Sequence, residues 1–368
     1  MQAGATPSAH ARSISFLSSM HQVKVLFALV AAASLAACGG GGGDSPAPVP
    51  PAPAPTASPS EAPPVGTNGT LQTSVAAANY ADARRVNAFN QLNAAREGAG
   101  AGLLSQSAAL DMSALDHANY LSVNGYGTAG SPHYETAGLI DYTGADPFAR
   151  MQDAGYGAYS FATEVIGDIG SSSATSDCVG DLLDTVYHAV SMLSRTTDVG
   201  FGFGNGSAAG MCTIDMAAPV SASGRQIPPS GAIVAYPYDG GSVAHGTFHV
   251  SYETPRVSTT LLPNATAGTP IVVGFRNHDF VAGGTATITQ LSIANAAGTT
   301  LPGVILAGPH VSGDHVNTDP GLQYDDGFAV LVPVSPLAPG AYTVTLHATI
   351  AGGQALAQTR WAFTVVAP

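Results

Sequence analysis

Lysine is almost missing from this chain. Its 368 residues hold only Lys24, and Lys and Arg together number 11 against 24 Asp and Glu. With a net charge of −13 and no basic stripe, nucleic acid is excluded as a partner, since that surface needs clustered cations. Long apolar runs are missing too. The best is VLFALVAAASLAAC near the N-terminus, too short for a comfortable transmembrane helix. There is no GxSxG elbow, no GxxxxGK[ST] phosphate loop and no HExxH pair, so the common hydrolase, nucleotide and zinc-protease signatures are excluded. Cysteine is sparse, with three residues.

What is present begins with export. Lys24 precedes the short apolar run, which ends in small residues, the pattern of a secretory signal. Leu35-Ala36-Ala37-Cys38 resembles the lipobox of bacterial lipoproteins, in which the cysteine becomes the acylated first residue. Residues 1–37 are therefore read as a signal region with Met20 as the better start, and 38–70 as a lipidated Cys38 with a tether. The tether, Gly39 to Pro64, is rich in Gly and Pro and cannot form a core. These features predict a protein anchored by lipid in the bacterial cell envelope, at the outer membrane, on its periplasmic or outer side.

Cys178 and Cys212 remain. An even pair in an exported chain predicts a disulfide, with two free buried thiols as the alternative. A Cys178 nucleophile beside His188 is the weaker reading in an oxidising compartment.

The length allows two domains with cores. Helical spacing predicts helices over 79–97, 107–123 and 179–194, with a short one at PFARMQDAG capped by Asp146. His117 lies on the apolar stripe of the second helix and is expected in the core with a hydrogen-bond partner. Leu182, Val186, Val190 and Leu193 form the apolar face of the long helix. Asp181, Asp184, His188 and Arg195 lie opposite, and an Asp184–His188 surface pair would suit their spacing. FATEVIGDIG stays undecided. Val199, Phe201 and Phe203 alternate with glycine, then return as a strand over 211–216, which predicts a hairpin packed closely on a helix. After Pro219 the segments GTFHVSYETPR, TPIVVGFR, TATITQLSIAN, GFAVLVPV, GAYTVTLHATI and TRWAFTVV read as short strands of a β-sandwich, with Trp361 in its core. Gly308 to Gly327 is acidic, with Asp314, Asp319, Asp325 and Asp326. Its spacing does not match a calcium loop, so a solvated loop is expected. The sequons at Asn68, Asn205 and Asn264 mean little behind a bacterial lipobox.

The segments LNAAREGAGAGLLSQSAALDMSALDHANYL, SPHYE, TGADPFARMQDAGY, ATEVIG, LLDTVYHAV and DVGFGFG occur in the order of bacterial CAP domains. These are the SCP-like relatives of cysteine-rich secretory proteins, antigen 5 and plant pathogenesis-related protein 1. The resemblance covers about residues 80–217. It implies a CAP-type α/β/α sandwich over 78–219; the region 226–368 separately resembles bacterial immunoglobulin-like modules, so the chain is read as α+β with an immunoglobulin-like all-β sandwich at its C-terminal end. The CAP resemblance supplies the site. It implies a cleft lined by His133, Glu164 and His188. The family's second glutamate has no match here; Glu135, Asp181 and Asp184 are the candidates. Some members bind metal, so Zn²⁺ on His133 and His188 with water is one expectation.

Three functions are expected. The first is a non-enzymatic binding module for a small hydrophobic or lipid ligand, a metal or a protein partner, held to the membrane by its anchor. The second is a hydrolase using His133, Glu164 and His188 to activate water. The third is a structural envelope protein.

Overall fold

The computed structural model describes residues 70–125, 130–168, 177–204, 210–220, 225–229, 231–253, 255–275, 286–322, 327–350, 356 and 358–367. Cys38, the export segment, the tether, Asn68, Asn205, Asp325 and Asp326 lie outside the described residues. The chain divides into the units Met1–Ser58 and Pro59–Pro368, and every described residue belongs to the second. Among the described residues no helix is long and apolar enough to cross a membrane.

Helix α1 (Ala83–Ala99) starts where the Asp82 carboxylate accepts the Arg84 N–H and ends at Gly100, whose φ of 76° suits glycine. Helix α2 (Ala108–Asn124) is capped by Ser107. Helix α3 (Pro147–Asp153) is capped by Asp146, with proline in its first turn. The long helix expected over 179–194 is two short ones, α4 (Cys178–Leu183) and α5 (Val186–Met192). The physical reason lies 66 and 67 residues downstream, where Glu253 Oε1 accepts the N–H groups of Tyr187 (2.9 Å) and Val186 (2.5 Å). A carboxylate on those two amides replaces the intrahelical bonds that would have joined the helices.

The first sheet has the order β1-β3-β4-β2, formed by β1 (Ser105–Gln106), β2 (Tyr159–Asp168), β3 (Asp198–Phe203) and β4 (Met211–Pro219). The undecided FATEVIGDIG is therefore mostly strand, the edge strand β2, whose Val165 and Ile166 are buried. Val199, Phe201 and Phe203 of β3 face α1, sharing a core with Phe89 and Leu92. The glycines between them face α2. A Cβ on Gly202 would sit 2.1 Å from the Ala114 carbonyl oxygen, and one on Gly200 would sit 2.1 Å from the Asp111 nitrogen. Only bare backbone allows α2 this close. Asp111 ties the layers further by accepting the Phe201 N–H at 3.0 Å and the Tyr80 hydroxyl at 2.8 Å. Helices thus cover both faces of the sheet. Cys178, at the start of α4, is bonded to Cys212 of β4 across a separation of 34 residues, with Cα atoms 6.4 Å apart.

The described residues after Pro219 are strand-rich. One five-stranded sheet contains β5 (Ile233–Tyr236), β9 (Ile271–Phe275), β11 (Gly303–Ala307), β13 (Val316–Thr318) and β14 (Phe328–Pro333). The other contains β6 (Ser242–Val243), β10 (Ala286–Asn295), β12 (Val311–Ser312), β15 (Gly340–Ile350) and β16 (Arg360–Val365). A two-stranded pair is made by β7 (Phe248–His249) and β8 (Thr266–Ala267). GTFHVSYETPR is strand only at β7; a 3₁₀ turn over Val250–Tyr252 comes next and delivers Glu253 to α5. Trp361 is buried and donates to the Pro237 carbonyl at 2.9 Å. Asp319, expected in a solvated loop, is buried because it accepts the Tyr187 hydroxyl at 3.0 Å. One apolar cluster runs from Phe89, Leu92 and Val186 to Val272, Val330 and Val344 without a break.

Candidate functional site

His133 sits in the loop after α2, and its Nδ1 is 2.9 Å from Glu164 Oε1 on β2. Glu164 Oε2 accepts Arg150 of α3 at 2.7 Å. Arg150 also donates to the His133 carbonyl at 3.2 Å and lies 3.7 Å from Glu135 Oε1. His117, in the core as expected, bonds Glu135 Oε1 through Nδ1 at 2.8 Å and the Pro132 carbonyl through Nε2 at 2.9 Å. The same Nε2 lies 3.9 Å from Glu164. His117 and Glu164 therefore belong to one network with two carboxylates, two imidazoles and a guanidinium.

Its electrostatics derive from that geometry. Burial raises the Glu164 carboxyl, but His117, Arg150 and His133 outweigh burial and hold it well below the usual range. Glu135 likewise is raised by burial and brought below its ordinary value by His117, the Thr143 amide and Arg150. Asp215 of β4 is paired in register with Glu164. It is fully buried, and burial followed by the Glu164 charge pushes it well above the normal range. Glu164 is thus the ionised partner and Asp215 the protonated one.

His188 of α5 has different partners from those its helix spacing predicts. Its Nδ1 is 2.8 Å from Thr185 Oγ1 and 3.4 Å from Glu253 Oε2. Thr185 spends its only hydroxyl proton on the Leu182 carbonyl at 2.7 Å, so it must accept from His188 Nδ1–H. Burial, then the charge of His133, pushes the His188 imidazole down to about 3. The ring is therefore neutral and protonated on Nδ1, which leaves a lone pair on Nε2. The helix-surface pair Asp184–His188 does not form. Asp184 is buried and accepts the His245 N–H; burial, Asp181 and Asp177 raise it to about 8. Asp181 lies 3.5 Å from His245 Nε2.

The structure joins His133, Glu164 and Glu135 through Arg150 and brings His188 within the electrostatic influence of His133. Asp181 and Asp184 make their contacts at His245 instead. Three participants were missed. Arg150 looked like a helix residue, although a lone arginine amid acids is a signal in this chain. Asp215 alternates with the apolar residues of β4 and had no distinguishing mark. Glu253 lies beyond the matched motifs and could not be found by local pattern.

Zinc fits poorly. Both Glu164 oxygens are engaged, and among the described residues there is no group of three His, Cys, Asp or Glu able to hold a metal ion.

Residues 89–216 match the model of the cysteine-rich secretory protein family, CAP, so this part of the chain is a CAP domain. Among solved structures, an extracellular protein containing an SCP domain from Bacillus anthracis is similar at 20% identity over 36% of this chain, with a TM-score of 0.29. The chain spans 40% of that protein's length. PcoC, a copper resistance protein from Escherichia coli, is similar at 16% identity over 36% of this chain and 94% of its own, with a TM-score of 0.19. No curated protein matches the sequence.

Proposed function

We propose that this chain is an extracytoplasmic binding module of the bacterial cell envelope, anchored through a lipidated Cys38, whose CAP cleft holds a ligand by hydrogen bonds to His133 and His188. The export segment, the lipobox-like Leu35-Ala36-Ala37-Cys38 and the Cys178–Cys212 disulfide support the location. The Tyr342 hydroxyl donates to the Ala338 carbonyl at 2.7 Å, the tyrosine corner of immunoglobulin-like domains, which supports reading the strand-rich region as such a module.

One observation carries the binding reading over the hydrolytic one: His188 is held as a neutral ring with its proton on Nδ1. A base whose conjugate acid has a pKa of about 3 accepts a hydrogen bond well but is poorly matched to removing a proton from water at neutral pH. Glu164, clamped by Arg150 and His133, is no freer. The favoured ligand is an organic group or protein segment that presents a hydrogen-bond donor to His188 Nε2 and comes within hydrogen-bond reach of His133, not a metal ion.

A thermal-shift screen of lipids, glycans and peptides against wild type and His133→Ala/His188→Ala tests this. Hits that stabilise wild type and not the variant are expected, with no turnover. Hydrolysis of any hit by wild type, lost in His188→Ala, overturns the reading.

A further inference from the structure

Beside the cleft, an apolar surface stands out. The stretch Ala137–Tyr142 is exposed throughout, with Ile140 67% accessible and Leu139 and Tyr142 beside it. It adjoins the outer stripe of α2, where Met112 and Val123 are 48% and 51% accessible. The Asn124 side chain donates to the Ile140 carbonyl at 2.9 Å, which seats the loop against the end of that helix.

The loop is held from below. Glu135 accepts the Thr143 N–H at 2.7 Å and the Gly144 N–H at 3.3 Å, and the Tyr120 hydroxyl accepts the Thr136 N–H at 2.8 Å. The buried network of His117, Glu135 and Arg150 therefore fixes an apolar projection in place before any partner arrives. Preorganisation of this kind lowers the ordering cost of binding.

Charge selects the partner. Between Arg96 and Arg150 the sequence contains no Lys or Arg, and both of those arginines are buried. Asp116 lies on the α2 stripe between Met112 and Val123; burial, then Glu135 and Asp141, raise its carboxyl. Asp141 lies within the loop at φ 60°. The apolar surface is thus rimmed by acid with no exposed Lys or Arg of its own stretch, which repels an anionic bilayer and favours cations.

We propose that the face formed by Met112, Val123, Leu139, Ile140 and Tyr142, rimmed by Asp116 and Asp141, is a docking site for a cationic amphipathic polypeptide segment. Aliphatic side chains of the partner cover Ile140 and Leu139, while its Lys or Arg residues meet the two aspartates. This site is separate from the imidazole cleft and does not rest on it.

The test uses the mature protein and an amphipathic helical peptide of leucine and lysine, with a leucine and glutamate peptide, phosphatidylglycerol vesicles and phosphatidylcholine vesicles alongside. Titration calorimetry should show binding of the lysine peptide only. Leu139→Ser/Ile140→Ser and Asp116→Asn/Asp141→Asn should each weaken it about tenfold; asparagine tolerates the positive φ at position 141. Glu97→Gln/Asp314→Asn, which makes the same change in charge on α1 and in the strand-rich region, should leave affinity within about twofold. His133→Ala/His188→Ala should leave it unchanged, which keeps this result distinct from the cleft's. Failure of the lysine peptide to bind, unchanged affinity in both face variants, loss equal in the distant-charge variant, or binding of vesicles in place of peptide overturns the proposal.

Discussion

Arg150 lies between two buried carboxylates, 2.7 Å from Glu164 and 3.7 Å from Glu135. Arg150→Met removes the one guanidinium that serves both. Breaking a buried pair from one side costs about 3–5 kcal/mol, because the stranded charge stays out of water. Urea unfolding should show a loss of that order, and His133 should lose its fixed backbone position. Glu253 gives a pH prediction. Burial raises its carboxyl from 4.5 to about 7, with the N–H groups of Tyr187 and Val186 opposing. A raised folded value means the fold holds a proton that the unfolded chain releases. Its contribution is complete below about 4.5 and is lost as pH rises through about 7. Asp184 acts in the same sense up to about 8. His188 acts oppositely: its folded value is depressed from 6.5 to about 3, so its contribution is complete above 6.5 and lost as pH falls towards 3. Glu253→Gln keeps an oxygen for the two amides and cannot titrate. The melting temperature of that variant should fall less than wild type between pH 5 and 7.5 (roughly the window of Glu253); an identical slope would refute the assignment.

At the scale of elements, the α2–β3 contact depends on glycine. A Cβ at Gly202 would meet the Ala114 carbonyl at 2.1 Å, and backbone cannot rotate aside as a side chain can. Gly202→Ala should force the helix off the sheet and destabilise by about 1–3 kcal/mol, readable as a lower denaturation midpoint. Across the same sheet, the Cys178–Cys212 bond joins the first turn of α4 to β4. Opening it restores the freedom of a 34-residue span to the unfolded chain, worth about 4 kcal/mol in the chain-entropy view. Cys178→Ala/Cys212→Ala should melt well below wild type, and reduced wild type should melt with the variant.

For the molecule as a whole, the CAP domain is tied to the strand-rich region C-terminal to it. Glu253 caps α5, Asp319 accepts the Tyr187 hydroxyl, and Gln226 donates to the carbonyls of Leu103 and Thr196. The Tyr238 ring lies against Gly98, where a Cβ would be 2.7 Å from it. A chain ending at Pro219 loses all of these and exposes the apolar surface that α1 shares with β5. It should unfold at lower temperature than the full protein, or fail to remain soluble, and a melting point equal to wild type would show the two regions to be independent. The proposed lipid anchor is tested at the same scale: Cys38→Ala should release the protein from the membrane fraction or leave a longer precursor.

The sequence alone determined the local order of this protein. The cap at Asp146, the helical spacing of the first two helices, and the bulky residues alternating with glycine in β3 before the return strand β4 are short-range signals, and each produced the element it predicted. Six short motifs in order were enough to read the CAP domain. Tertiary structure decided what depends on partners far along the chain. The helix over 179–194 breaks because Glu253 reaches its middle, and no pattern within those residues encodes that carboxylate. Helix spacing pairs His188 with Asp184 four residues away, but Thr185 and Glu253 hold it, and burial sets its charge. Glu164 and Asp215 lie about fifty residues apart in sequence and opposite each other in the sheet; which is ionised depends on His117, Arg150 and His133, which the fold gathers around Glu164. Periodicity records which face a side chain takes, whereas the charge of a buried group depends on every neighbour that the fold brings to it.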